Sequence, residues 1–353
     1  MDKAKSQAFM MKVVADLAAA TTVSLVHVGD RVGLFRAMAG AGPMSREALE
    51  QRTGIHPRYL EEWLAAMFCA GYVEHDADAD TWQLPDEHAV FFADPGQEHY
   101  LGGLFKGAPA LAAMAPRVAE AFETGQGIPF QAYGEAGPLA IEHMNRAVYE
   151  ARLVTHWLPA LPQVLQRLQA GGSALDVGCG TGVIPILLAR AFPAARVTGL
   201  DVDARSIEIA RENARQAGVQ ERVQFVHQSA VALEPQGDGY DLISTFDVVH
   251  DLPDPDAVLR RIRDALSPGG TYLMVEPKVA ERLQDNAANP FARMLYGISC
   301  LHCVPTSLAQ GGPGWSACWG ETRARLAAQE AGFGSFKVLP IRNPTQAFFE
   351  LAA

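Results

Sequence analysis

The sequence predicts an α/β protein, with a Rossmann-like, doubly wound parallel sheet in the C-terminal half and a mainly helical winged-helix unit ahead of it. Three observations carry this. Residues 174–182 read Ala-Leu-Asp-Val-Gly-Cys-Gly-Thr-Gly, an apolar run that breaks into Gly178, Gly180 and Gly182 before the helical run Ile184–Ala191. Glycines there let backbone amides approach a ligand at the head of a helix. A second strand, Arg196–Leu200, ends in Asp201, where a carboxylate can accept hydrogen bonds from both hydroxyls of a ribose. The third observation is a helix, a turn, a helix and two short strands within residues 45–84.

Length and composition bound the reading. A chain of 353 residues, 49% apolar and 20% charged, suits two globular domains with good cores. The expected divisions are 1–95 for the winged helix, 96–170 for a helical linker and lid, and 171–353 for the α/β domain. A net charge of −11 disfavours nucleic acid, whose phosphates need a basic face. Five cysteines (Cys69, Cys179, Cys300, Cys303 and Cys318) are too few, and odd in number, for a disulfide scaffold, so a reducing cytoplasm is expected. The N-terminus lacks the pattern of a signal peptide, and no uninterrupted run of 18 apolar residues occurs, so no membrane span is expected.

Residues 6–39 read as two helices rich in Ala, Met, Leu and Val, suited to a subunit interface or to an intramolecular core. Ser45 caps a short helix, Arg46–Thr53; a second helix, Arg58–Ala70, ends at Gly71. Tyr72–Glu74 and Thr81–Leu84 read as strands around an acidic turn, Asp76–Asp80. The second helix carries one Arg and two Glu, and the wing three Asp, a poor match to a DNA groove. Residues 86–170 read as helical with Gly/Pro breaks at 94–96, 107–109, 125–129 and 134–138, closing with Leu139–Thr155 and Leu158–Leu168. His143 and Tyr149 lie at helical spacings there and are candidates for a pocket or for a solvated face.

Beyond Asp201 follow a helix over 204–217, a strand over Val223–Val226, a strand from Tyr240 to Asp247, a helix over Asp256–Leu266, and the turn Ser267-Pro-Gly-Gly before a strand at Thr271–Val275. The glycine loop has D-x-G-x-G-x-G spacing rather than the G-x-G-x-x-G of a dinucleotide fold, and no P-loop lysine follows. Together with the Tyr240-Asp-Leu-Ile segment and the Pro-Gly-Gly turn, it resembles the class I S-adenosylmethionine-dependent methyltransferases. The N-terminal layout is similar to the winged-helix dimerisation domain of plant and bacterial small-molecule O-methyltransferases. This resemblance implies a seven-stranded sheet with the last strand antiparallel, Gly334–Leu339 and Ala347–Ala352 being the final pair, and a homodimer formed through the N-terminal domain. It implies S-adenosylmethionine as methyl donor, with S-adenosylhomocysteine as product. Asp176, Gly178, Cys179, Gly180 and Gly182 would then lie along the methionine and ribose, Asp201 and Val202 at the ribose, Ser229 and Ala230 near the adenine, and Phe246 and Asp247 at the cofactor's border. Where the family usually places an acid for the adenine amino group, this chain has Gln228, Ser229 and Ala230.

His250, followed by Asp251, stands where plant-type relatives carry a general base; other relatives hold a histidine there that only borders the pocket. Both roles stay open. An imidazole titrates near neutral pH and can take a hydroxyl proton. Between the fifth strand and the last helix, His302, Cys303 and Trp315 are candidates for the acceptor pocket. Cys300, His302, Cys303 and Cys318 lack zinc-finger spacing, so no metal is expected; a thiophilic acceptor and plain core packing are the other readings of these thiols. The implied activity is methyl transfer to a small molecule, with oxygen as the acceptor atom. Sulfur, nitrogen, carbon or metalloid acceptors, and a non-catalytic regulator that binds S-adenosylmethionine, are the alternatives.

Overall fold

The computed structural model describes residues 1–97, 99–134 and 136–353. It divides into two compact units, one of residues 1–109 and 143–148, the other of residues 110–142 and 149–353.

In the first unit, Asp2 caps a 29-residue helix, Lys3–Arg31, by accepting from the Ala4 and Lys5 amides. Of the two helices expected over 6–39, the second is the short Leu34–Met38, beyond Gly33. The front of the long helix lies outside this chain's own core: Phe9, Met10, Met11, Val13, Val14 and Leu17 are exposed, and only Val26 and Gly29 are buried. By length and composition this helix could cross a bilayer. The expectation of no membrane span was drawn from uninterrupted runs, which scattered Thr, Ser and Asp break here without making the helix polar.

Ser45 Oγ accepts from the Ala48 amide at 3.2 Å and opens the helix Arg46–Thr53, and Pro57–Cys69 follows. Strand β1 (Glu74–Asp76) pairs antiparallel with β2 (Thr81–Gln83) to form the wing. β1 starts and ends two residues later than expected, and its end is marked by Asp76, which accepts from the Asp78 amide at 2.9 Å. Leu34, Phe35, Leu49, Leu60, Trp63 and Met67 form the core of this unit. The expected break at 107–109 is absent: Gly102–Ala112 is one helix that carries Pro109 inside it.

In the second unit, β3 (Ser173–Val177), β4 (Arg196–Asp201), β5 (Val223–His227), β6 (Tyr240–Phe246), β7 (Leu266–Pro277), β8 (Ser335–Val338) and β9 (Gln346–Ala352) form one sheet in the order 5-4-3-6-7-9-8. β9 runs antiparallel between β7 and β8, and the remaining pairings are parallel. Parallel strands bury both faces, and every residue of β3 is accordingly buried. Helices from both sides complete the core, with Val258, Leu259 and Ile262 against Ile243, Tyr272 and Met274. The Pro-Gly-Gly turn lies inside β7 rather than before it, as an irregularity opposite Tyr240 and Leu242. Strand order reverses between β3 and β6, so ligands are expected at the carboxyl ends of these strands.

One stability consequence concerns the end of the long N-terminal helix. A methyl group on Gly29 would lie 2.4 Å from Trp63 Cζ2 and 3.0 Å from Phe35 Cε2. Gly29→Ala should cost about 1–3 kcal/mol by overpacking, read as a lower urea midpoint. Gly297→Ala, with no atom within 4 Å of the added carbon, should leave the midpoint unchanged or raise it slightly.

Candidate active site

The site is built at the carboxyl ends of β3, β4, β6 and β7. Asp176, next to last on β3, pairs in register with Gly199 and Ser244. It is 3% exposed, and its Oδ1 accepts from Ser244 Oγ at 2.7 Å. Burial pushes its carboxyl up to about 7; the Ser244 bond opposes this and the charge of Asp201 adds to it.

Past β3 the chain turns on glycines fastened to β4. The amides of Gly178 and Cys179 donate to the Leu200 carbonyl at 2.7 and 3.0 Å, and the Gly180 amide donates to Asp201 Oδ2 at 2.8 Å. Asp201 Oδ1 accepts from the Asp203 amide, also at 2.8 Å. Gly178 has φ +72°, and a methyl group there would lie 2.5 Å from Val248 Cγ2. Gly180 has φ +51° and faces open space, which leaves its backbone accessible to a ligand. Gly182 precedes the helix Val183–Ala191 and lies against Phe225. Burial raises the carboxyl of Asp201 and, far more, the buried thiol of Cys179. The Val202 side chain is exposed, and its carbonyl accepts from His227 Nε2 at 3.0 Å. Ser229 stands before a short turn, Ala230–Ala232, in which Ala230 is buried.

Phe246 ends β6, and Asp247 follows with φ +58°, a conformation that costs energy for any residue but glycine. Its Oδ2 accepts from Gln346 Nε2 at 3.0 Å and from the Tyr149 hydroxyl at 3.3 Å, while Oδ1 is buried with no hydrogen-bond partner. Burial, then the charge of Glu276, raises this carboxyl to about 7. Tyr149 is buried beside Phe246, with ring centroids 5.3 Å apart.

His250 lies on a short turn, Val249–Asp251, and is 2% exposed. Its partner is a residue that the sequence reading did not single out. Glu276, next to last on β7 and 1% exposed, accepts from the Val249 amide at 2.9 Å through Oε1. Through Oε2 it meets His250 Nδ1 at 2.5 Å and accepts from Trp319 Nε1 at 3.1 Å. His250 Nε2 lies 3.3 Å from Asp251 Oδ1. Burial alone would lower the imidazole, but Asp251 and Glu276 on either side outweigh it and raise it well above its usual value. An acid closing a β-strand at the sheet's switch edge was the available signal for Glu276.

His302 and Cys303 lie on one π-helical turn, Ser299–Cys303, and both are buried. The His302 ring stands edge-on to Tyr133 at 4.7 Å and to Phe130 at 5.8 Å. Trp315 is one ring removed: it stacks on Trp319 at 5.2 Å and under the Arg323 guanidinium. His143 falls in the first unit. Cys300 is exposed and Cys303 buried, so the two thiols are divided between surface and core. His250, Asp251 and Cys303 each bring one ligand atom within 4.8 Å of the others. Burial pushes the Cys303 thiol up to about 12, and both His250 nitrogens face carboxylates.

Residues 168–328 match the family described as "Methyltransferase domain", and residues 19–93 match the Rv2258c-like winged HTH domain. The chain is similar to the mitomycin biosynthesis 6-O-methyltransferase of Streptomyces lavendulae, 27% identical over 266 residues, 73% of this chain and 74% of that one. Methyltransferase GfsG of Streptomyces halstedii is 35% identical over 127 residues, 35% of this chain and 45% of that one. The chain spans less than half the length of the first curated relatives it matches. Among solved structures, the mitomycin 7-O-methyltransferase MmcR superposes with a TM-score of 0.67 at 23% identity over 100% of both chains. Human N-acetylserotonin methyltransferase gives 0.68 at 16% identity, over 100% of this chain and 99% of that one. The shared fold is the class I methyltransferase sheet behind a winged-helix domain.

The raised carboxyl of Asp176 has a measurable sign. Its ordinary value is about 3.9, against about 7 in the folded protein. Between these values the folded state keeps a proton that the unfolded state has released, so this group's contribution to stability falls as pH rises from 4 to 7. Asp176→Asn should therefore match the parent's Tm near pH 4 and exceed it increasingly up to pH 8, read by calorimetry on the ligand-free protein.

Proposed function

We infer that this chain, a methyltransferase domain behind a winged-helix unit, is an S-adenosylmethionine-dependent methyltransferase that methylates a hydroxyl of a small molecule. The observation that carries the reading is the row of buried carboxylates at the carboxyl ends of adjacent strands, with a glycine turn lying open beside them. Asp176 and Asp247 are raised toward neutrality by burial, and Asp247 Oδ1 lacks a partner. A cationic ligand supplies what such a set lacks, and a sulfonium with an α-ammonium group is of that type. When bound, S-adenosylmethionine supplies an activated methyl group on sulfur.

The protein's share is to hold, align and deprotonate. The turn at Gly178–Gly182 gives room for the methionine and ribose, Asp201 takes the ribose hydroxyls, and Ser229 and Ala230 border the adenine. Tyr149 and Gln346 hold Asp247. Glu276 fixes His250 through Nδ1, which leaves Nε2 as the atom that takes the acceptor's proton. His250 must first be neutral, and its two acidic neighbours make that form scarce at low pH. The winged helix carries a packing role in this reading. Its Arg58 is engaged by Glu61 and Glu62, and the wing presents Asp76, Asp78 and Asp80. All five cysteines are free, consistent with a reducing cytoplasm.

With a phenolic acceptor, kcat/KM should rise with pH along an acid limb whose midpoint lies above the ordinary imidazole value of about 6.5. Glu276→Gln removes a raising charge, so it should move that limb to lower pH and lower the plateau. His250→Ala should cost about 10²-fold or more with the phenol and little with a thiol, which ionises unaided. A limb that stays in place in both variants contradicts the assignment of the base.

The N-terminal unit fits a homodimer, with a second copy covering the exposed stripe of Phe9, Met10, Val13, Val14 and Leu17. Sedimentation equilibrium should give twice the monomer mass of 38.0 kDa for the intact chain. Met10→Glu with Val14→Glu should give the monomer mass; recovery of the parent in the membrane fraction would point to a bilayer instead.

A further inference from the structure

The methyl-transfer reading leaves one group unused. His302 is 7% exposed, and its Nδ1 is buried without a hydrogen-bond partner. A polar nitrogen buried in this way is costly unless something bonds to it. The rings beside it leave it unpartnered: Phe130 offers only carbon, and the Tyr133 hydroxyl donates its proton to the Leu301 carbonyl at 2.6 Å. Burial lowers the imidazole, so the ring is neutral and offers one donor and one acceptor. It shares a π-helical turn with Cys303, whose Sγ lies within 4.8 Å of ligand atoms of His250 and Asp251, and this places it on the wall that bears the proposed base. On that same wall Asp251 Oδ1 is also buried without a directed hydrogen bond.

The wall's charge restricts what can bind. Asp251 and Glu276 oppose a single imidazolium at His250, beside an Asp247 raised toward neutrality by burial. A carboxylate on the acceptor would enter a net negative, poorly solvated environment, whereas a neutral hydroxyl can bond to His302 without that cost.

We propose that His302 is a specificity-determining residue whose Nδ1 hydrogen-bonds a second, uncharged polar group on an aromatic acceptor, distinct from the hydroxyl that becomes methylated. The acceptor class is thus a ring with at least two hydroxyl-type groups and no carboxylate next to them. This rests on the methyltransferase reading. His302 acts by positioning, so its effect falls on acceptor binding rather than on the rate of transfer.

The test compares phenol, catechol, resorcinol, hydroquinone and salicylate in the full-length protein, with S-adenosylmethionine binding followed separately by calorimetry. At least one dihydroxy isomer should exceed phenol by about tenfold or more in kcat/KM, mostly through KM, and salicylate should gain nothing. His302→Phe should bring that ratio to within about threefold, mostly through KM, and leave cofactor affinity unchanged; His302→Gln, which keeps a donor and an acceptor, should restore much of the preference. The proposal is overturned if every dihydroxy isomer stays within threefold of phenol, if the preference survives His302→Phe, if salicylate is favoured, or if no phenol is turned over while the cofactor binds. Absence of cofactor binding overturns the methyltransferase reading itself, and the two failures are thereby told apart.

Discussion

Four neighbouring strands end in carboxylates, and the rest of the second unit is arranged around that constraint. Asp176 on β3, Asp201 on β4, Asp247 after β6 and Glu276 on β7 share one edge of the sheet. A parallel sheet buries this edge beneath helices and loops, so the acids lose water and come close to like charges at once. Each is held in its own way. Asp201 accepts two amides, Asp176 accepts a serine hydroxyl, and Glu276 takes an amide, an imidazole and an indole. Asp247 is the least satisfied, with one oxygen unpartnered and a left-handed backbone. Strain and unmet hydrogen bonding concentrated at one point are a reserve that a ligand can relieve.

The fold was legible because its signals were local. The glycines at alternate positions, the apolar run of β3 and the acid closing β4 all lie within 28 residues, 174–201, and their spacing alone separated this loop from a dinucleotide site. Ser45 and Gly71 marked the winged-helix elements through capping chemistry. Glu276 was not legible for the same reason in reverse. Its contact with His250 spans 26 residues and exists only once β6 and β7 have paired. Tyr133 was missed likewise: its hydroxyl reaches the Leu301 carbonyl across 168 residues.

The errors of reading also have physical causes. Proline at 109 and glycine at 107 suggested a break, yet the helix Gly102–Ala112 runs through them. Backbone packing decides along this helix: at Gly103 a methyl group would fall 1.9 Å from the His143 carbonyl oxygen. Close approach of helix backbones requires small residues, and a sequence scan reads the same residues as breakers. At the wing, three aspartates in five positions gave the turn, but the Asx bond at Asp76 fixed where β1 stops.

The acids that suit a cation also set what else can share the site. His250 owes its raised basicity to Glu276 and Asp251, and a base so placed is a strong one only after it has given up its resting proton. In the proposed reaction the sulfonium would become a neutral thioether, so its positive charge beside the carboxylates would be lost as the acceptor's proton reached His250. The imidazolium would then stand in for that cation beside the same carboxylates. Charge near the sheet edge is nearly conserved through the step, and an arrangement that is costly in the free protein becomes least costly when both cation and base are engaged. A carboxylate-rich edge with one well-anchored histidine is therefore suited to moving a positive charge across a few ångströms, which is what transfer of a methyl group from sulfur to a hydroxyl oxygen requires.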